Sequence, residues 1–292
     1  MGEFAPPDSS SVVSRRVESI LKSIDRIRPL PTSVSRIMTA LDDPNISAGI
    51  ISELIGLDQA LAANVLQTAN SFYLGYGPTC SNLTDAVMRL GFGRIRTIVQ
   101  SVQVAGSLVR SLPGYRLGSG DLWNHSVATA VVAQWFAKSL SYPNSDNAYV
   151  AGLLHDIGKL LLDQFALADY DRMADYVQNF NLAVWQVEQK LFGIDHAGVG
   201  GLMAKKWNFP PALVDAIQYH HVPSRGQCDS ALAALINLSN ALNPLDQGSQ
   251  SKFEGRQIHP ATMEILHLDQ AKLNILYQRM LTFYHMNYGG SV

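Results

Sequence analysis

The chain has 292 residues, of which 47% are hydrophobic and 16% charged, so it can bury a substantial core and wholesale disorder is excluded. A formal net charge of −2 argues against a broad nucleic-acid-binding surface. The two cysteines cannot form a disulfide framework. We find no apolar run of about 18 residues that would predict a transmembrane helix, and no signal-peptide pattern, and therefore expect a cytoplasmic protein without a membrane partner.

The sequence of the N-terminal part of the chain predicts a series of short helices. Residues 1–11 are rich in Pro and Ser and lack apolar periodicity, which predicts a disordered tail. From residue 12 to 112, apolar residues recur at helical spacing, and Pro and Gly separate the segments. Ser47 and Asp58 are placed to cap two helices, and Gly91–Gly93 interrupts a third. No stretch alternates as a strand would, so residues 12–112 are predicted to form an N-terminal helical subdomain.

The C-terminal part predicts longer helices in a second subdomain. The Pro- and Gly-containing segment 111–120 is the best candidate for the boundary, and residues 118–292 form the second subdomain. We expect one helix at Leu122–Leu140 and another, containing the central motif, from about Asn147 to Phe165. The predicted fold class is therefore all-α, with a helical bundle preceded by an N-terminal helical subdomain.

The central motif is His155-Asp156-Ile157-Gly158-Lys159. A neighbouring imidazole and carboxylate are a natural ligand pair for a divalent cation. On a helix, Lys159 faces the same side, where its amine could contact a phosphate. An isolated His-Asp pair is more often a surface or capping pair. This pair, however, lies between the apolar segments Tyr149–Leu154 and Leu160–Leu162, where buried charge needs compensation.

The central motif resembles that of the HD superfamily of metal-dependent phosphohydrolases. The N-terminal half is more closely similar to the HDOD branch, whose members are mostly regulatory modules of bacterial signalling proteins. The resemblance covers about residues 30–242, as one module. Four N-terminal segments of capping, packing and turn residues carry it, and we assign them no chemistry: Leu30-Pro31, Asp58-Gln59-Ala60-Leu61, Ala69-Asn70-Ser71 and Ala86-Val87-Met88-Arg89-Leu90-Gly91.

The resemblance implies a set of metal ligands, although each histidine taken alone is more often a core or surface residue. The implied ligands are His125, His155, Asp156, His196, His220 and His221. The pattern is similar to that of the two-metal members, including the HD-GYP cyclic-dinucleotide phosphodiesterases. In such a site Asp156 would bridge the metals and Lys159 would contact a phosphate oxygen. These ligands suit iron, manganese, zinc or nickel better than magnesium or calcium. The remaining histidines, His259, His267 and His285, are predicted to be structural or exposed.

Two departures from the family pattern bear on catalysis. HD enzymes have a further ligand Asp on a late helix, and the matching position here is Asn240, whose neutral amide is a poor substitute. The Gly-Tyr-Pro segment that follows the paired histidines of HD-GYP enzymes is absent, and Pro223–Gln227 stands in its place. Both departures match the HDOD branch, so we expect little or no hydrolysis.

Three functional hypotheses follow from the resemblance. The first is a regulatory module of bacterial signal transduction that acts through other signalling proteins and has a His/Asp metal site. The alternative is a metal-dependent phosphohydrolase or cyclic-dinucleotide phosphodiesterase. The third is a structural module with an empty histidine cluster. A nucleotide or phosphate is a further expected ligand.

Overall fold

The computed structural model describes residues 10–26, 32–69, 80, 82–180, 182–246 and 257–288. Within these ranges the chain forms helices and no sheet, and the only β-type pairing is an isolated bridge between Leu112 and Leu117. The all-α prediction is confirmed. The tail up to residue 9, Leu30-Pro31 and Asn70-Ser71 lie outside the described residues. None of the described helices combines the length and apolar character needed to cross a bilayer.

The helices follow one another with short connections. In chain order they are α1 (Ser10–Asp25), α2 (Thr32–Ala40), α3 (Ala48–Gly56), α4 (Gln59–Ala69), α5 (Leu83–Leu108), α6 (Asp121–Ser139), α7 (Ser145–Leu154), α8 (Lys159–Ala168), α9 (Tyr170–Phe180), α10 (Val184–Phe192), α11 (His196–Lys206), α12 (Pro211–Tyr219), α13 (Ser230–Ala241), α14 (Pro260–Ile265) and α15 (Gln270–Tyr288). Short 3-10 turns occur at Pro113–Tyr115, Pro223–Arg225 and Pro244–Asp246.

The helices divide into two compact units, the smaller spanning Pro29–Ser107 and the larger combining the first 28 residues with the chain from Leu108 onward. The sequence analysis placed α1 in the N-terminal subdomain, whereas α1 packs on α8, α10 and α11 of the larger unit. Arg16 of α1 donates to the carbonyl of Leu191 at 3.0 Å and pairs with Asp169 at 2.8 Å. Helix α1 therefore belongs to the larger unit and not to the N-terminal helices. That the two units are separate subdomains stays a prediction.

The smaller unit is built as its capping residues predict. Ser47 accepts a hydrogen bond from the backbone of Ile50 at 3.3 Å, and Asp58 accepts one from Leu61 at 3.1 Å, so each side chain caps the helix that follows it. Gly91 has φ 74° and ψ 159° inside α5. Residues that have a side chain rarely adopt this backbone conformation, whereas glycine does so readily. The interruption predicted at Gly91–Gly93 is therefore a kink within α5.

The larger unit is a helical bundle around α13, which packs on α6, α7, α12 and α14. Residues Leu232–Ser239 of α13 are buried without interruption. A helix that is apolar all round is typical of a bundle centre.

The helix predicted from Asn147 to Phe165 is in fact two helices. Helix α7 ends at Leu154, α8 begins at Lys159, and residues 155–158 form a turn. Gly158 ends this turn at a close packing contact, because a Cβ atom there would lie 1.9 Å from the carbonyl oxygen of His196. The turn thus lets two backbones approach closely and brings the His-Asp pair against the start of α11.

Candidate metal centre

The six predicted ligands come together inside the larger unit, although they lie on different elements. His125 is on α6, His155 and Asp156 are in the turn, His196 begins α11, and the paired histidines follow α12. They form two groups, and within each group the potential ligand atoms lie within 4.8 Å of one another. The groups are His125, His155 and Asp156, and His196, His220 and His221. That they bind metal stays a prediction.

Asp156 lies between the two groups and is only 1% exposed. Its Oδ1 is 3.1 Å from Nε2 of His196 and 4.0 Å from Nε2 of His220. Its Oδ2 is 3.4 Å from Nε2 of His155 and 3.5 Å from Nε2 of His125. One carboxylate oxygen therefore faces each group, which is the arrangement a bridging ligand requires.

The outer nitrogens of three rings are held by acceptors. Nδ1 of His155 and of His220 donate to main-chain carbonyls three residues earlier, at 2.7 and 2.8 Å. Nδ1 of His196 donates to Glu188 Oε2 at 2.7 Å. Carbonyl and carboxylate oxygens only accept, so each Nδ1 carries a proton. In the neutral rings the lone pair is then on Nε2, which faces inward, as in metal-binding histidines.

His125 differs from these three rings. The amide of Asn243 is oriented by Leu245, whose backbone donates to Asn243 Oδ1 at 3.1 Å. Nδ2 of Asn243 lies 3.1 Å from Nδ1 of His125, which therefore accepts. The proton of a neutral His125 is then on Nε2, 3.2 Å from Nε2 of His155. Metal binding through His125 Nε2 would require this proton to leave or to move to Nδ1.

Charge is unevenly distributed among the ligands. Burial alone would lower the pKa of His196, but Glu188 and Asp156 raise it to about 9. His196 is then protonated at neutral pH, and its Nε2 lies 2.9 Å from Nε2 of His221. Burial and the neighbouring imidazoles hold the pKa of His220 and His221 well below the usual value, so both rings are neutral.

The pKa of Asp156 is also displaced. Burial alone would raise it, but His155 and Lys159 outweigh burial and hold it well below the usual range. The carboxylate is therefore ionised, as a metal ligand must be. The ammonium of Lys159 lies 2.8 Å from Asp156 Oδ2 and is 3% exposed. Its predicted contact with a phosphate stays a prediction.

Buried polar atoms that lack a hydrogen-bond partner indicate whether a metal ion would fit the His/Asp cluster. Among the described residues, His220 Nε2 is buried with no hydrogen-bond partner, and the buried Oδ1 of Asp156 has charge contacts with His196 and His220 but no hydrogen bond of regular geometry. Buried polar atoms of this kind are costly unless something else satisfies them. Both atoms face the interior of the cluster, and a cation bound there would satisfy both. The mixed imidazole and carboxylate donors fit a transition metal such as iron, manganese, zinc or nickel.

Glu188 is a site residue that the sequence analysis missed. It lies on α10, is fully buried, and its Oε2 accepts from both the backbone N and the Nδ1 of His196 at 2.7 Å. Its Oε1 accepts from the hydroxyl of Tyr115 at 2.6 Å. A signal was present in the sequence, because Glu188 falls in the apolar stripe of α10 with Val184, Val187, Leu191 and Phe192.

A cavity of about 270 Å³ adjoins the cluster. Asp156, Lys159 and Asn240 contribute to its lining, and the Oδ1 of Asn240 is buried without a partner among the described residues. His259 also lines the cavity, although the sequence analysis gave it no site role. The two other C-terminal histidines, His267 and His285, are exposed, as expected.

Comparisons with known proteins identify the family. The HDOD domain matches residues 27–223. An HDOD domain protein of unknown function from Geobacter sulfurreducens has a similar structure, with a TM-score of 0.68 and 26% identity, covering 94% of this chain and 90% of that one. A protein from Shewanella amazonensis SB2B, provisionally named a phosphohydrolase, has a TM-score of 0.70 and 25% identity, covering 92% and 95%.

A curated relative is longer than this chain. It is an uncharacterized protein of Treponema pallidum (strain Nichols), 27% identical over 228 residues, which are 73% of this chain and 43% of the relative. This chain therefore spans less than half the length of that relative. Since the family domain matches about two thirds of the chain, including His125, His155, Asp156, His196 and the paired histidines, the chain belongs to the HDOD family.

Proposed function

We propose that the chain is a regulatory module of bacterial signal transduction that binds a divalent metal at its His/Asp centre and acts mainly through other signalling proteins. Membership of a branch composed mostly of regulatory modules supports the signalling role. One observation carries the metal site, namely the placement of Asp156 between two histidine groups, where His220 Nε2 is buried and has no hydrogen-bond partner among the described residues.

The chain's own residues would organise the bound metal. Asp156 and the inward Nε2 atoms would hold it, and Glu188 fixes the orientation of the His196 ring. When bound, the metal would supply positive charge and Lewis acidity. Asn240 provides a neutral amide where HD enzymes have a carboxylate, so the centre has one strong ligand and one negative charge fewer. We therefore propose that hydrolysis is weak or absent and that the fold and its surface are what a partner recognises.

A metal-dependent phosphohydrolase is the second candidate. The complete set of histidines favours it, and so does the cavity, which lies beside the cluster and contains Lys159. The provisional name of the Shewanella relative is consistent with it. In this case Lys159 would contact a phosphate oxygen.

Metal analysis of the purified full chain tests the centre. Iron, manganese, zinc and nickel are measured by mass spectrometry in the wild type, in the double variant His155→Ala/Asp156→Ala and in His285→Ala. We expect metal in the wild type and in His285→Ala, because His285 is exposed, and loss of metal together with a lower melting temperature in the double variant. Equal metal content in all three would place the metal elsewhere.

A phosphodiesterase assay separates the two candidates. The wild type and Asn240→Asp are loaded with manganese or iron and assayed against cyclic dinucleotides and simple phosphodiesters. Losing a positioned charge in a closed site costs about 3 kcal/mol, roughly a hundredfold in rate. Robust turnover by the wild type would establish the phosphohydrolase and overturn the regulatory proposal. Activity in Asn240→Asp but not in the wild type would support a degenerate enzyme. No activity in either protein would mean that more than the carboxylate ligand at position 240 has been lost.

A further inference from the structure

His259 occupies a wall of the cavity that the family domain does not include. The wall consists of residues 257–260, beyond the matched segment 27–223. His259 is half-buried and shares the cavity with Asp156, His196 and His221. An imidazole in this position can contact a ligand that enters the cavity.

The hydrogen bonds of His259 define which nitrogen is available to a ligand. Its Nδ1 caps helix α14 by accepting from the backbone N–H of Ala261 at 3.2 Å. An accepting nitrogen has no proton, so in the neutral ring the proton is on Nε2. The Nδ1 edge is occupied by the cap, and among the described residues no acceptor bonds the Nε2–H, which can therefore donate. Such a donor suits an oxygen of an anion.

Asn237 fixes this wall to the candidate metal centre. Asn237 is 5% exposed and donates from Nδ2 to the carbonyl of His220 at 2.8 Å. Its Oδ1 accepts from the backbone of His259 at 2.9 Å and from the hydroxyl of Thr262 at 2.7 Å. A single buried amide thus joins the backbone of a candidate ligand to the backbone of His259. The distance across the cavity is therefore built into the fold.

The lining indicates an anionic ligand of small size. Among the described residues around the cavity, Asp156 is the only acidic side chain, whereas Lys159 and three histidines, His196, His221 and His259, are basic. A divalent cation bound at the centre would add net positive charge even after displacing the proton of His196, so the loaded cavity would attract anions. The volume of about 270 Å³ lies below the range of about 300–1,000 Å³ typical of drug-sized ligands. This size favours a ligand with one phosphoryl group over a cyclic dinucleotide.

We propose that His259 binds a phosphoryl oxygen of a small phosphate ester, of the size of a mononucleotide, through its Nε2–H in the cavity beside the metal centre. This inference rests on the proposed metal-binding function. It assigns a ligand class and a ligand-binding residue to the same site. Asn237 acts as a positioning residue, because its side-chain hydrogen bonds go to the carbonyl of His220, the backbone of His259 and the hydroxyl of Thr262.

Two substitutions separate ligand binding by His259 from its role as a cap. His259→Asn keeps a favoured capping side chain, whose oxygen can still accept from Ala261, but is too short to replace Nε2. His259→Gln places an amide donor near the position of Nε2 and loses the cap geometry. His285→Asn, at an exposed position on α15, is the matched control. Each full-length variant is loaded with manganese, and its metal content and melting temperature are measured.

The binding of inorganic phosphate, 5′-GMP and cyclic di-GMP is then measured by calorimetry. For His259→Asn we expect at least tenfold weaker binding of phosphate and 5′-GMP, with unchanged metal content and melting temperature. His259→Gln should lower the melting temperature and bind both probes better than His259→Asn. The wild type should bind 5′-GMP more tightly than cyclic di-GMP.

The possible failures are distinguishable. If the wild type takes up no metal, the proposed function fails and this inference with it. If the wild type binds metal but neither phosphate nor 5′-GMP, or if His259→Asn binds both like the wild type, the inference is overturned and the metal-binding proposal stands. Weaker binding of 5′-GMP alone would overturn the phosphoryl contact. Tighter binding of cyclic di-GMP than of 5′-GMP would overturn the ligand class.

Discussion

Glu188 illustrates how much of the candidate site depends on residues outside the recognisable motif. It is fully buried and accepts from His196 and Tyr115, so its carboxylate is satisfied by the ring it orients and by one hydroxyl. The resemblance to the family motif implies the ligands, but it does not imply this acceptor. Glu188 was nevertheless detectable as a charged residue in the apolar stripe of α10. His259 offered no comparable signal, because only the fold brings it to the cavity.

Glu188→Gln should weaken metal binding by about 10–100-fold, which is the usual effect of removing a partner behind a metal-binding histidine. The variant keeps the size of the side chain and one accepting oxygen, but loses the negative charge that favours a proton on His196 Nδ1. Affinity is measured by competition with a chromophoric chelator, and coordination by the visible spectrum of the cobalt-loaded protein. Glu264→Gln, at an exposed position, serves as the control. An affinity and a spectrum identical to those of the wild type would show that Glu188 does not position His196.

At the scale of elements, apolar periodicity predicted the helices but not the turn at residues 155–158, which contains the His-Asp pair. Apolar residues continue at helical spacing from α7 into α8, so the sequence indicates one helix. The break coincides with the contact between Gly158 and the start of α11, which is distant in the sequence. Local pattern cannot report such a contact, whereas the kink at Gly91 was predictable because the glycines themselves interrupt the pattern.

Gly158→Ala should therefore disrupt the centre through the backbone. The new Cβ would lie 1.9 Å from the carbonyl oxygen of His196 and 2.8 Å from the backbone nitrogen of Gly200, and neither atom is a flexible side-chain end. We expect a destabilisation of about 1–3 kcal/mol or more and reduced metal content. Gly93→Ala is the matched control, because nothing lies within 4 Å of its Cβ position. Urea unfolding compares the two, and equal stability of both variants would contradict the close approach.

At the scale of the whole molecule, chain order is a poor guide to which helices belong together. The sequence analysis placed α1 with the helices that follow it, yet α1 buries Ile20 and Ile24 and packs within the larger unit. Its amphipathic pattern predicts a buried face but not the partner of that face. The larger unit thus combines residues from both ends of the chain around one buried cluster of ionisable groups, and its stability should depend on their protonation.

The metal-free protein should be most stable near neutral pH and lose stability on both sides. The pKa of His196 is raised from an unfolded value of about 6.5 to about 9, so its contribution is complete below the unfolded pKa and is lost as the pH rises through about 9. His220 and His221 have lowered pKa values, so the unfolded chain binds more protons than the folded one below about pH 6.5, and acidification destabilises the fold.

Melting temperatures of chelator-treated protein between pH 5.5 and 9.5 measure both branches of this dependence. His196→Gln should flatten the alkaline branch, because it removes the group that loses its proton there. Bound metal should flatten it as well, since metal displaces the proton from His196 before the pH does so. Metal uptake at neutral pH should then release protons, which is measurable as a dependence of the calorimetric heat on the ionisation enthalpy of the buffer. An alkaline branch unchanged in His196→Gln would mean that another group titrates in this range.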